Sequence, residues 1–229
     1  MDLSVRSGEA EWMDDPGHDP VDFGRCLGDL ALVNRVTFAA RPTLRWLARA
    51  TRGLDAFSLL DVGYGHGDML RAIARWSAKR GKWAELSGID VSPASALAAR
   101  AATPAGMTID YRIGDVFACE PEHAPDFVVS SLFTHHLTDA QVVAFLRWME
   151  RFAARGWFVN DLHRHAVAYH GFRAMGAIAR WHKMVRHDGA VSIAKSFRPA
   201  DWEALLAEAG VIAEIRWMMP FRLCVGRLK

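Results

Sequence analysis

The chain of 229 residues reads as a single α/β domain. The sequence predicts a seven-stranded, mostly parallel sheet with an antiparallel terminal strand, helices ahead of it and a helical cap inserted after strand five. Three observations carry this. Short apolar runs alternate with amphipathic stretches of helical period, the pattern of a parallel sheet covered on both faces. The last two apolar runs, Val211–Met218 and Arg222–Leu228, are separated only by a turn at Pro220, too short for a crossover, so they pair antiparallel. Between them and strand five, Tyr169, Phe172, Met175, Ile178, Trp181 and Val185 recur at helical steps, and the α/β rhythm lapses over 165–190.

The elements follow in order. Residues 1–20 are expected to be a flexible acidic tail: residues 1–22 hold seven acids against the single base Arg6, and Pro16, Gly17 and Pro20 break any regular structure. Residues 21–229 form the domain. Within 21–52, Phe23, Leu27, Leu30, Val33, Phe38, Leu44 and Leu47 fall at helical spacing, divided by Pro42, which predicts two helices. Phe57–Val62 is the first strand, and the helix after its glycine turn carries Met69, Leu70, Ile73 and Trp76 on one face. Leu86–Val91 is the second strand, followed by the N-cap Ser92, Pro93 at the first helical position and an Ala-rich helix. Thr108–Ile113 and Asp126–Phe133 are strands three and four, Thr138 caps a helix over Asp139–Ala154, and Trp157–Leu162 is strand five. Helix Pro199–Ala209 ends at Gly210.

Composition bounds the function. A chain 51% hydrophobic and 24% charged is neither disordered nor collagen-like. No apolar run approaches the roughly 18 residues of a membrane span, and the first twenty residues lack a basic segment followed by an apolar one. Cys26, Cys119 and Cys224 are odd in number and form no CxxC pair, which fits a reducing cytoplasm and no cysteine metal site. The net charge of +2 hides an asymmetry: past the acidic first 22 residues the chain carries 27 bases against 19 acids, a surplus of +8 spread over helix faces, and no nucleic-acid-binding motif accompanies it.

The most informative segment is Leu59-Leu60-Asp61-Val62-Gly63-Tyr64-Gly65-His66-Gly67-Asp68. Glycines between a strand and a helix let the backbone turn tightly and approach a ligand, and the helix N-terminus beyond adds free N–H groups. A nucleotide-like cofactor at the carboxyl edge of a Rossmann-like sheet follows. A dinucleotide site wants a third glycine where Asp68 stands; the spacing here is DxGxGxG. A carboxylate at the end of the strand suits a cationic amino-acid group and would repel a pyrophosphate.

At this point the sequence resembles the class I S-adenosylmethionine-dependent methyltransferases, in particular the small-molecule branch that includes the ubiquinone and menaquinone methyltransferases. Gly88-Ile89-Asp90-Val91-Ser92 resembles the segment whose acid meets the ribose hydroxyls, and Gly114-Asp115-Val116-Phe117 the segment at the adenine. Asp126–Leu137, with Ser130 and Ser131, resembles the strand-four segment, and Asp29-Leu30 with Asn34-Arg35 resembles that branch more weakly. The resemblance covers about residues 25–229 and implies S-adenosyl-L-methionine held by Asp61, Gly63, Gly65, Gly67, Asp90, Val91, Asp115, Val116 and Ser131. His66 departs from the small residue usual there.

Methyl transfer to a hydroxyl requires removal of its proton, for which a histidine near neutral pH is suited. His135 and His136 follow strand four, and His163 and His165 follow strand five. His136 is the first candidate base, His135 the second, and His163 their partner across the pocket. Tyr169, Phe172 and Met175 of the cap are expected to line an apolar cavity for a small, aromatic acceptor. Strand four ends without an acid, so no metal is expected. The acceptor atom stays open between oxygen, nitrogen and carbon, as does a non-catalytic binding role, and the oligomeric state is expected to be monomer or homodimer.

Overall fold

In the computed structural model, which describes residues 2–12, 29–179 and 181–229, seven strands form one sheet. They are β1 (Ala56–Val62), β2 (Trp83–Asp90), β3 (Asp110–Ile113), β4 (Phe127–Ser131), β5 (Gly156–Leu162), β6 (Glu214–Met218) and β7 (Arg222–Leu228). The order across the sheet is β3-β2-β1-β4-β5-β7-β6. Strands β1 to β5 pair in parallel, and β7 lies antiparallel between β5 and β6, as the short turn demanded. Because β7 is reversed, its first residue lies at the carboxyl edge of the others, with Arg222 opposite Leu162.

Both faces of the sheet are covered, which is why the central strands read as continuous apolar runs. Phe57, Leu59, Phe127, Val129 and Phe158 point to one side. There they meet α2 (Arg41–Ala50), α3 (Asp68–Ala78) and α4 (Pro93–Ala102) through Trp46, Leu70, Ile73 and Ala96. Leu60, Val62, Val128, Val159 and Val225 point to the other. They meet α5 (Asp139–Phe152) and α8 (Pro199–Ala209) through Phe145, Leu146, Trp202 and Leu205. Each such side chain, withdrawn from water, contributes roughly 1.5–3 kcal/mol before the entropy of ordering is set against it.

Helix ends follow local chemistry. Ser92 Oγ accepts from the Ser95 N–H at 3.2 Å ahead of Pro93, and Thr138 forms a reciprocal capping box with Gln141. Gly210 closes α8 in the left-handed conformation, φ 70°.

The cap differs from expectation in extent. It consists of two helices, α6 (Ala166–Ile178) and α7 (Lys183–Lys195), so it runs past residue 190. Ala168, Tyr169, Ala190, Ile193 and Ala194 pack between them. Gly176 stands where a Cβ would meet Arg186 and the Trp181 ring at 3.1 and 3.3 Å, so it serves the close approach of the returning chain. Residues 29–36 form the described part of α1. Strand four was expected to reach Phe133; β4 ends at Ser131, where Leu132 takes a left-handed φ of 57° and turns the chain into a short 3-10 segment over Thr134–His136.

Residues 2–12, expected as part of a flexible tail, lie against the cap and the loop after β4. The Ser7 N–H donates to the Ala194 carbonyl, the Arg6 side chain donates to Lys195 and Leu137 carbonyls, and the Trp12 ring stacks on His187 at 3.9 Å. Residues 13–20 of that expectation lie outside the described residues. Among the described residues no helix is long and apolar enough to cross a membrane.

Candidate active site

A cavity of about 400 Å³ opens at the carboxyl edge of the sheet, over the ends of β1 and β4 and beneath α1, α6 and α7. Its floor is the glycine turn. Gly63, Gly65 and Gly67 all have positive φ, at 72°, 52° and 75°, which side-chain-bearing residues rarely adopt. A Cβ on Gly63 would strike the Phe133 ring at 2.6 Å and one on Gly67 the Tyr111 hydroxyl at 2.6 Å, whereas Gly65 faces open space. Gly63, Gly65 and Ser131 line the cavity; Gly67 lies behind it, at the start of α3.

Asp61 ends β1 and is 1% exposed. Its Oδ1 is buried with no hydrogen-bond partner, and burial, with Asp68 and Asp90 nearby, pushes its carboxyl well above the usual range. A buried carboxylate without a partner is costly, and a cationic ligand group would relieve it. Asp90 ends β2; its Oδ2 accepts from the Gly65 N–H and its Oδ1 from the Ser92 N–H, both at 2.9 Å. The carboxylate thereby ties the glycine turn to the second strand while retaining lone pairs for a ligand. Asp115 caps the 3-10 turn after β3 by accepting from the Phe117 N–H at 2.9 Å. Asp90, Val91, Asp115 and the buried Val116 stand along the same edge beyond the cavity lining, with Val91 67% exposed.

His66 is held by Arg71, whose guanidinium donates to the His66 carbonyl at 2.7 Å and stands 3.0 Å from Nδ1. Burial and that guanidinium lower its pKa, favouring the neutral ring.

The histidines separate sharply. His135 is 3% exposed, lines the cavity, and places Nδ1 2.7 Å from Asp161 Oδ1. Asp161 sits at the end of β5 and is fully buried. Its Oδ2 accepts from Thr134 Oγ1 at 2.5 Å and the His135 N–H at 3.0 Å, and Oδ1 from the Leu162 N–H at 2.8 Å. Burial alone would raise this carboxyl, but the His135 ring and these hydrogen bonds outweigh it and hold the group well below the usual carboxylate range. His136 also lines the cavity but is about one-third exposed. His163 does not line it: the chain after β5 turns to bridge Phe197, and the His163 ring packs beside His165. Tyr169 likewise lies in the packing between α6 and α7, under Arg173, while Phe172 and Met175 line the cavity.

Two of the lining residues that were missed bear on the chemistry. Glu11, from the segment expected as tail, is 7% exposed, with Oε1 at 3.8 Å from His135 Nε2, 3.7 Å from His136 Nδ1 and 3.3 Å from Lys195 Nζ. No periodicity pointed to it. Glu11, His135 and His136 bring three ligand-type atoms within 4.8 Å of one another, a set that can hold a metal ion. Lys195, however, already sets a positive charge at this carboxylate. Arg222 is the other, 3% exposed and open to the cavity. Its signal was present, since the first residue of a reversed last strand must lie at this edge.

Residues 59–156 match the family described as "Methyltransferase domain". Over 165 residues, 70% of the chain, the sequence is 30% identical to a ubiquinone biosynthesis O-methyltransferase of Paramagnetospirillum magneticum, and the chain spans 61% of that relative's length. The fold is similar to the plantazolicin methyltransferase BpumL, solved with a triazolic desmethylPZN analog and SAH: TM-score 0.69, 16% identity, 95% of this chain and 92% of that one. It is also similar to human N-acetylserotonin methyltransferase in complex with SAM, at TM-score 0.62 and 16% identity over 92% of this chain and 56% of that one.

Proposed function

We propose that the chain, a class I S-adenosylmethionine-dependent methyltransferase by its fold and by the match over residues 59–156, methylates a hydroxyl of a small aromatic acceptor. The observation that carries the hydroxyl is the Asp161–His135 pair at 2.7 Å, facing the same cavity as the glycine turn.

The residues fit the methyl donor. The orphaned Asp61 Oδ1 suits its ammonium group, Gly65 leaves room for close approach, and Asp90 and Asp115 stand further along the edge where a nucleoside would extend. When bound, S-adenosylmethionine supplies a methyl group already activated on a sulfonium. What the chain must add is alignment and a proton acceptor, since most of the acceleration comes from holding the nucleophile opposite the leaving sulfur.

Asp161 holds the Nδ1–H of His135, which leaves Nε2 directed to the cavity as the basic atom. Nε2 stands 3.8 Å from Glu11, beyond hydrogen-bond distance, so an acceptor hydroxyl can take that position. His135 therefore replaces His136 as the first candidate base, because it is buried at the cavity with its Nδ1 held by the Asp161 carboxylate. Phe172 and Met175 supply apolar contact for the acceptor's ring. A small, buried cavity favours a small-molecule acceptor over nucleic acid, and a cytoplasmic monomer or homodimer remains part of this reading.

The test is a panel of phenols, quinols, anilines and carbon acceptors with methyl-labelled donor. Label recovered as aryl methyl ethers is expected; label on nitrogen or carbon with the phenols inert would contradict the hydroxyl assignment.

A further inference from the structure

Among the described residues, Arg222 is the one lysine or arginine that lines the cavity. Its side chain is nearly without solvent exposure, and its Nε and Nη1 are buried with no hydrogen-bond partner. An arginine carries five N–H donors and cannot lose its charge, so a buried one is ordinarily matched by a carboxylate or by carbonyls. Here the nearby acids are committed elsewhere. Asp161 accepts from His135, Thr134 and Leu162, and Asp68 accepts from Asn34 at 3.3 Å. Their field favours the guanidinium, yet neither forms a hydrogen bond to it.

The position is set by the fold. Arg222 opens β7, pairs with Leu162 of β5, and shares its side of the sheet with Cys224 and Asn160. The cavity lining holds this forked cation together with the apolar Phe221, Leu162 and Ile193. That combination recognises a planar anion attached to an apolar body, and a carboxylate matches the fork with two parallel hydrogen bonds.

We propose that Arg222 is the specificity determinant of the cavity and that the acceptor is an aromatic carboxylate, its acid group held by Arg222 and its hydroxyl directed to His135. A carboxylate at this place has two sources, the acceptor or the amino-acid end of the methyl donor. The sheet order favours the acceptor. Strand β7 lies three positions from β1, roughly 14 Å at ordinary strand spacing, so β4 and β5 intervene between it and the strand that carries Asp61. This inference rests on the methyltransferase reading.

The test uses the full chain saturated with S-adenosylhomocysteine and titrated calorimetrically with 4-hydroxyphenylacetate and with its neutral isostere 4-hydroxyphenylacetamide. The parent is expected to bind the carboxylate at least tenfold more tightly than the amide. Arg222→Met should abolish that preference while leaving amide and S-adenosylhomocysteine affinities within threefold, and Arg222→Lys should restore part of it, because the charge survives without the fork. If Arg222→Met does not fold, the parent's preference and its reduction in Arg222→Lys decide the matter. Equal binding of the two probes by the parent, or binding of neither, overturns the proposal. So does a tenfold loss of S-adenosylhomocysteine affinity in the variants with the probe preference intact, which would assign the guanidinium to the donor's carboxylate. Failure of the parent to bind S-adenosylhomocysteine would sink the methyltransferase reading and this inference together, whereas donor-product binding without carboxylate preference sinks this inference alone.

Discussion

His135 and His136 are adjacent in sequence and unequal in chemistry. The first is buried and oriented by a fully buried carboxylate; the second is about one-third exposed, with its Nδ1 3.7 Å from Glu11. His135→Ala is therefore expected to lower turnover by about 10²–10⁴ with donor affinity retained, and the loss should shrink for an acceptor already ionised at assay pH. A parental turnover in His135→Ala, with the loss appearing in His136→Ala instead, would return the role to His136. Asp161 makes a separate prediction about stability. Its carboxyl is held low in the folded protein, so the unfolded chain binds its proton first as pH falls; the stabilisation is complete above the unfolded carboxylate range and is lost below it. Urea unfolding should thus separate the parent from Asp161→Asn most at neutral pH, with the gap closing below about pH 4. A gap that is constant or that widens toward acid would contradict an ionised Asp161.

At the scale of elements, the cap helices divide between packing and binding. On α6, Phe172 and Met175 line the cavity, and Tyr169 fills the seam against α7. Phe172→Ala is expected to raise the acceptor Michaelis constant. Tyr169→Ala should lower stability by about 3–5 kcal/mol, the usual loss for a buried aromatic, and leave that constant unchanged. The reverse pattern, measured by steady-state kinetics and denaturant unfolding, would exchange their roles. Sequence spacing placed all three residues on one helix but not on one face of a cavity. Tyr169, Phe172 and Met175 sit at successive three-residue steps, so the stripe drifts around the helix, and only the partner helix decides which end of it is covered. The same limit explains β4, whose apolar run reads through to Phe133 because the left-handed turn at Leu132 carries no glycine to announce it.

For the whole molecule, the sheet was legible because parallel strands buried on both faces write long apolar runs, and the reversed last strand because its turn admits no crossover. Asp61 was legible from its place near the end of an apolar strand before the glycine turn, and Asp90 and Asp115 through the resemblance of their segments to the methyltransferases. Glu11 was not, since a contact between residue 11 and residues 135 and 195 follows from no local pattern. The central claim is that this edge is a methyl-donor site, and calorimetric titration with S-adenosylmethionine tests it most directly. The parent should bind one equivalent, and Asp90→Ala should weaken binding by about 1.5–3 kcal/mol, ten- to hundredfold, with the fold retained. Absence of binding by the parent, or equal affinity in Asp90→Ala, would contradict the account.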